Sequence, residues 1–323
     1  MVSAILLAGY NNKRAVKKYS RIVAENYGET FVETGYKPLR EFRIVENGAE
    51  IIKPIIQFTL EKLFTSNLID EIVIVGHKML IEQRLGKLIR NVEKPCRIEN
   101  QNARIPHHAM ECFKIMPKRV KHSSLAGNMI KGYAASNAYK EKKHALFIAS
   151  DSPLTTKNFI EDFITLAQDY TQHCSIIFPA VFIEGNLDRL GRRPLKLIND
   201  THFNVSNIKD KHGRQGFRLS SIMSANLHLM NVNTINTAYN LRKTLNPKVQ
   251  MELFRITHSL GYKNVYSKYF IKKDLSIKEC ENITSEFFHG KLKLLPMTGE
   301  ESTYDYDGTS SEYIGITKML NNI

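Results

Sequence analysis

The chain has 323 residues, 42 % of them apolar and 24 % charged, which is the composition of a soluble globular protein with one large domain or two small ones. No apolar run approaches the roughly 18 residues that span a bilayer, the first run is too short for a secretory signal and lacks a charged leader, and Cys96, Cys112, Cys174 and Cys280 form no C-x-x-C pair, which sets aside a disulfide framework or thiolate zinc site and fits a reducing cytoplasm. Lys and Arg number 46 against 32 Asp and Glu, a formal net charge of +14, so the expected partners are small anions. No membrane partner is expected, and nucleic acid lacks the aromatic and basic signature that would support it.

The apolar run at the start of the chain closes in Ala8-Gly9, and the polar, basic loop Tyr10-Asn11-Asn12-Lys13-Arg14 follows at once. Ala4 to Ala8 has the length of a strand buried on both faces. Glycine at its carboxyl end lets backbone approach a ligand closely. Ligands in open α/β sheets bind beyond the carboxyl ends of strands, so this stretch predicts a nucleotide or phosphate site. Neither a G-x-G-x-x-G fingerprint nor a G-x-x-x-x-G-K-[ST] loop is present.

Further along, Ile55 to Phe64 reads as a helix opened by Pro54. Asp70 to Gly76 is a second buried strand closed by glycine, and His77 to Leu88 is helical. Asn128 to Lys142 reads as a helix. Ala145 to Ala149 is a third buried strand ending at Ser150-Asp151-Ser152-Pro153. Asn158 to Tyr170 is a helix and Ser175 to Phe182 a fourth strand. Glu184 to Phe217 reads as extended loops, Ala225 to Val232 as a strand, and Asn236 to Leu260 as one or two helices broken near Asn246-Pro247. The alternation predicts an α/β fold with a mainly parallel central sheet flanked by helices. It fits a single domain over 1–323, with a loop-rich segment at 183–235 and a helical addition at 236–290.

Asp151 is the sharpest single residue, because a carboxylate beyond a buried strand is placed to hold a divalent metal on a phosphate chain. Asp151 could instead cap the next helix, a role that Thr155 or Thr156 can also fill. Lys37, between Tyr36 and Pro38, is by default a solvated loop lysine; taken with Arg14 it could instead neutralise a triphosphate. His107-His108 has no metal-ligand spacing, Ser150-Asp151-Ser152 is no nucleophile elbow, and Lys118-Arg119-Val120-Lys121-His122 is a short basic run.

These residues form blocks that resemble the nucleotidyltransferases with the nucleotide-diphospho-sugar transferase fold. Leu7-Ala8-Gly9 through Arg14 resembles the L-A-(A/G)-G-x-G-x-x-R loop, with Asn11 or Asn12 where the family has its second glycine. Lys37-Pro38-Leu39 and Pro54 to Glu61 resemble the K-x-L and P-(L/I)-I blocks. Leu125-Ala126-Gly127-Asn128 resembles the nucleobase-contacting turn, and Ala145 to Pro153 the strand ending in D-x-P. Arg193 to Leu197 with Asp200, Ser224-Ala225-Asn226, and Tyr304 to Thr309 with Glu312-Tyr313 are looser matches.

The resemblance implies transfer of NMP from an NTP to a small phosphorylated acceptor, with pyrophosphate released. Arg14 and Lys37 would be catalytic, and Leu7, Ala8, Gly9, Asn11, Gly127 and Asn128 would bind the nucleotide. Asp151 would hold Mg2+ with a second ligand among Asn226, Asp305 and Asp307, and Arg193 and Lys196 would meet the acceptor. A molybdenum-cofactor guanylyltransferase-like enzyme and a non-catalytic nucleotide-binding or RNA-associated module are the alternatives.

Overall fold

The computed structural model describes residues 2–9, 36–184, 194–242, 255–306 without 256, 260, 263 and 266, and 310–321. Strand β1 (Ser3–Leu7) lies inside the sheet. Its alternate side chains are all apolar from Ala4 on, so they enter two cores: Ile5 joins one face, while Ala4 and Leu6 join the other. A strand so buried pairs on both edges, here in parallel with β4 (Glu71–Gly76) and β6 (Ala145–Ala149). Between β1 and β4 in sequence, β2 (Glu41–Glu46) and β3 (Ala49–Pro54) form a separate hairpin, turned by Asn47 and Gly48 with φ of 52° and 78°. Asn-Gly suits a two-residue hairpin turn because both positions need positive φ.

Strand β5 (Cys96–Asn100) extends the parallel sheet beyond β4. On the other side of β6 come β7 (Ile176–Phe182), β8 (Leu195–Leu197), β9 (Gln215–Leu219), β10 (Ile222–Ala225) and β11 (Leu292–Met297). β10 is antiparallel and sits between β6 and β7. β11 covers the far edge of β7 from Ile176 to Val181, so β9 and β10 share the near edge. They are two stretches of one bent strand, parted at Ser220-Ser221. β8 pairs with the free edge of β9, which is the side on which β10 meets β6. β8 and β9 therefore stand past the carboxyl end of β6.

Helices cover both faces. α1 (Ile55–Thr65), α2 (Lys78–Arg90), α3 (His107–Cys112), α4 (Leu125–Ala134), α5 (Asn137–Glu141), α6 (Lys157–Gln168), α7 (Ile235–Arg242), α8 (Ile277–Phe288) and α9 (Ser310–Leu320) follow in chain order. Ile56, Leu60 and Leu63 of α1, Ile81 and Leu85 of α2, and Phe159 to Ile164 of α6 pack on one face. Met129, Ile130 and Tyr133 of α4 and Ile277 and Phe288 of α8 pack on the other. A third cluster joins Phe42 and Ile44 of the hairpin to Ile55, Phe58, Tyr306, Tyr313 and Ile316. Among the described residues no helix is long and apolar enough to cross a membrane.

The structure bears out the expected mainly parallel sheet with flanking helices and corrects several elements. The helix expected over Asn128 to Lys142 is two, α4 and α5, parted at Ala135-Ser136. The strand expected over Ala225 to Val232 ends at Ala225, after which the chain makes 3₁₀ turns. The expected loops of 184–217 contain β8 and β9. Beyond residue 234, Ile235–Arg242, Ser267–Lys272 and Ile277–Phe288 are helical, 273–276 are not, and β11 then returns the chain to the sheet.

Candidate active site

Functional side chains gather where β1, β4 and β6 end. The Ala8 amide still donates to the Val75 carbonyl at 2.9 Å, and the Ser150 amide donates to Leu7 O at 3.1 Å. The ends of the three strands are therefore held in register. Gly9 comes next, and a Cβ there would lie 2.7 Å from Asn128 Nδ2. The backbone beyond β1 thus runs against the first turn of α4. Asn128 is buried, and its Oδ1 has no hydrogen-bond partner among the described residues.

Ser124 caps α4 by accepting from the Gly127 amide at 3.1 Å. Asn236 of α7 locks the same turn: its Oδ1 accepts from the Ala126 amide at 3.0 Å, and its Nδ2 donates to Ser124 Oγ at 3.0 Å. A Cβ on Gly127 would come well under 3.0 Å from the backbone carbonyls of Lys121 and His122. Backbone cannot give way as a side-chain end can. Gly127→Ala is therefore expected to cost at least about 2 kcal/mol of stability. Thermal unfolding checks this, and an unchanged melting temperature would refute it.

Loop 100–103, after β5, is fixed from below. Lys131 of α4 is buried, and burial lowers its pKa to about 8. Its ammonium donates to the carbonyls of Gln101, Asn100 and Ala103. Gln101 is itself buried, and its side-chain oxygen is the next group beyond Asn128 from Gly9.

The basic side of the site hangs on Tyr36. Its hydroxyl donates to Ala8 O at 2.5 Å and accepts from the His77 amide at 3.0 Å, and its burial raises the phenol pKa. Gly76 leaves the space this hydroxyl fills. Lys37 then opens a short 3₁₀ turn with Pro38 and Leu39. Its Nζ lies 2.5 Å from Asp151 Oδ2, with side-chain exposures of 18 % and 26 %. Residues 114 positions apart are thus one ion pair at the mouth of the sheet.

The Asp151 turn is braced on every side. The Asp151 carbonyl accepts from the Tyr306 amide at 2.8 Å. Ser152 and Ser221 hydroxyls bond to each other. Lys62 of α1, whose pKa burial lowers to about 8, donates to Pro153 O at 2.5 Å. Thr156, not Asp151, caps α6, accepting from the Phe159 amide at 3.1 Å. Capping therefore does not explain the Asp151 carboxylate.

Leu7, Ala8, Gly9, Lys37, Asn128 and Asp151 come together, and Gly127 packs just beneath Asn128. Asp305 immediately precedes Tyr306, so its backbone adjoins Asp151. Asn226 must be corrected. β10 runs antiparallel to β6 with Ala225 opposite Ala145, so Asn226 lies beyond the amino end of β6, at the opposite edge from Asp151. Its amide is occupied there by Tyr133 Oη, the His228 amide and the Lys142 carbonyl, which removes it as a metal ligand. Lys196 is on β8 and forms an ion pair with Asp210 at 4.0 Å. Asn11, Arg14, Arg193 and Asp307 lie outside the described residues. Sequence reasoning missed Tyr36, Lys62, Lys131 and Asn236. Of these, Tyr36 and Lys62 stood beside recognisable blocks, next to Lys37 and Glu61, and Lys131 followed the turn at 125–128, whereas Asn236 had no such neighbour.

No protein-family model matches the sequence, and no curated protein matches it. Solved structures do. A hypothetical transferase from Thermus thermophilus is 16 % identical, with 95 % of this chain and 97 % of that chain covered and a TM-score of 0.54. The 4-diphosphocytidyl-2C-methyl-D-erythritol synthase from Anaerococcus prevotii is 12 % identical, with 99 % and 98 % covered and a TM-score of 0.47. A CMP:2-keto-3-deoxy-manno-octonic acid synthetase complexed with CTP is 9 % identical, with 100 % and 99 % covered and a TM-score of 0.49. The chain has the same fold as the Thermus transferase, the mostly parallel, helix-flanked sheet that the sequence resemblance implies.

Proposed function

We propose that this chain transfers a nucleotidyl group from an NTP to a small phosphorylated acceptor. The observation that carries the reading is the Lys37–Asp151 pair, seated beside Gly9 at the carboxyl ends of β1 and β6. An acceptor phosphate oxygen attacks the α-phosphorus in line, the bond to the α,β-bridging oxygen breaks, and pyrophosphate leaves. Lys37 offsets the negative charge that gathers on the phosphate oxygens, with Arg14 as its proposed partner from the loop after β1. Leu7, Ala8, Gly9 and Asn11 line the nucleotide through their backbone, and the partnerless Oδ1 of Asn128 accepts from it. A buried acceptor left unmade costs about 1–3 kcal/mol, which a ligand donor would recover.

The site's chemistry suits a hard cation. Asp151 offers carboxylate oxygens, and Asp305 stands next to the residue that bonds its carbonyl. Among the described residues no group of three His, Cys, Asp or Glu could hold a metal by itself. That fits Mg2+, which is usually bound by one or two carboxylates together with substrate phosphates. Bound there, it would supply neutralisation of phosphate charge. Asp151 is the proposed principal ligand, with Asp305 or Asp307 the second. Lys196, on the segment that stands past β6, and Arg193 are the proposed contacts to the acceptor phosphate, Arg as a planar fork and Lys as a point charge.

The test is pyrophosphate release, with Mg2+, from each of four NTPs against a panel of phosphorylated sugars, alcohols and acids. Release with one NTP and one acceptor class is the expected result. Tight NTP binding with no release against any acceptor would replace this reading with a nucleotide-binding module.

A further inference from the structure

Two segments far apart in sequence, 206–214 and 267–273, meet at the outer side of β8 and β9. Leu197 of β8 pairs with Gln215, whose side-chain amide donates to the Ser206 carbonyl. The next residue, Ile198, donates to the Leu275 carbonyl at 3.0 Å. The bases of both segments are anchored in one core, where Val205 and Tyr269 pack.

The tips of these segments are unusual. Ile208 is 60 % exposed, Phe270 52 % and Ile271 70 %. Lysines flank them: Lys209 and Lys211 are exposed on one segment, Lys272 is exposed and Lys273 half-buried on the other. Acidic compensation is small. Asp210 Oδ2 accepts from Arg214 Nε and Nη2 at 3.0 and 2.8 Å, and Glu279 pairs with Lys268, while Asp274 follows Lys272 and Lys273 in sequence.

Composition decides what such a tip would meet. Protein interfaces are depleted in lysine and enriched in Tyr, Trp and Arg around their apolar centres. A bilayer surface selects the reverse pattern: aliphatic and phenyl groups that enter the headgroup boundary, ringed by lysines that meet anionic lipid phosphates. We propose that the tips of 206–214 and 267–273, whose bases are tied to the adjoining residues Leu197 and Ile198, together form a docking surface for an anionic lipid bilayer. The expectation of no membrane partner rests on the lack of a spanning run, which bears on insertion and not on surface adsorption. This docking is independent of the chemistry proposed for the Lys37–Asp151 site.

Cosedimentation of the full chain with vesicles tests it. The chain should sediment with vesicles of phosphatidylcholine plus phosphatidylserine, not with phosphatidylcholine alone, and the bound fraction should fall as salt rises. Neutralising one lysine on each segment, Lys211→Gln with Lys272→Gln, should lower the partition coefficient about fivefold per lysine. Phe270→Ser with Ile271→Ser should lower it further at unchanged charge. Thermal melting of each variant reports its fold, and the surface lysine pair keeps the test open if the serine pair fails to fold. No partition onto phosphatidylserine vesicles, or partition that neither pair alters, overturns the proposal. So does self-association by sedimentation velocity that the serine pair abolishes in a chain that ignores vesicles. That result would assign the tips to a protein interface.

Discussion

Asp151→Asn is expected to lower turnover by on the order of 10²-fold or more while leaving the fold intact. The fold should survive because the turn is held by backbone and by neighbours. The Asp151 carbonyl keeps the Tyr306 amide, Ser152 keeps Ser221, and Lys62 keeps the Pro153 carbonyl whatever the Asp151 side chain is. Thr156 continues to cap α6. Only the carboxylate charge is lost, and with it the proposed anchor for a cation on the triphosphate. Asparagine keeps one oxygen for Lys37 but has no negative charge for a divalent ion. The measurement is pyrophosphate release at saturating NTP and acceptor, titrated with Mg2+, beside a melting curve. A well-folded variant with unchanged turnover would end the metal-ligand assignment.

Lys37→Met is expected to lower turnover by on the order of 10²-fold, with a smaller change in NTP affinity. The backbone around Lys37 does not depend on its ammonium. Tyr36 is tied to Ala8 and His77, the Leu39 amide returns to the Tyr36 carbonyl, and the Arg40 amide returns to the Lys37 carbonyl. Methionine retains much of the apolar stem. What disappears is a positive charge 2.5 Å from Asp151, the one proposed to offset the charge that moves onto departing pyrophosphate. The pair is mostly buried, with exposures of 18 % and 26 %, so losing the ammonium is expected to cost about 1–3 kcal/mol of stability, which a melting curve beside the kinetics separates from the loss of turnover. Lys37→Arg should rescue poorly, because a planar fork does not reproduce a compact ammonium. Calorimetry with NTP separates binding from turnover. Lost NTP affinity with unchanged turnover at saturation would make Lys37 a ground-state contact.

The sequence by itself determined the central parallel strands and the residues at their ends. β1, β4 and β6 are continuous apolar runs because both faces are buried, and Gly9, Gly76 and Asp151 stand out because each interrupts such a run. These are local properties, legible in a window of ten residues. α1, α2 and α6 were legible for the same reason, through helical periodicity. The tertiary structure alone decided strand direction and partnership. Asn226 follows an apolar stretch as Asp151 does, yet β10 runs antiparallel, which carries Asn226 to the opposite edge of the sheet. Nothing local encodes the direction in which a strand is laid down. β8 and β9 were hidden because Lys196, Gly216 and Arg218 break the apolar pattern, and β5 because Arg97 and Glu99 do. Their pairing comes from backbone bonds to neighbours already in place. The meeting of Lys37 with Asp151, of Lys62 with Pro153 and of Lys131 with loop 100–103 is likewise absent from any local pattern. Each joins residues 28 to 114 positions apart: the packing of α1 and α4 against the sheet brings Lys62 and Lys131 to their carbonyls, and the Tyr36 anchor brings Lys37 to the Asp151 carboxylate.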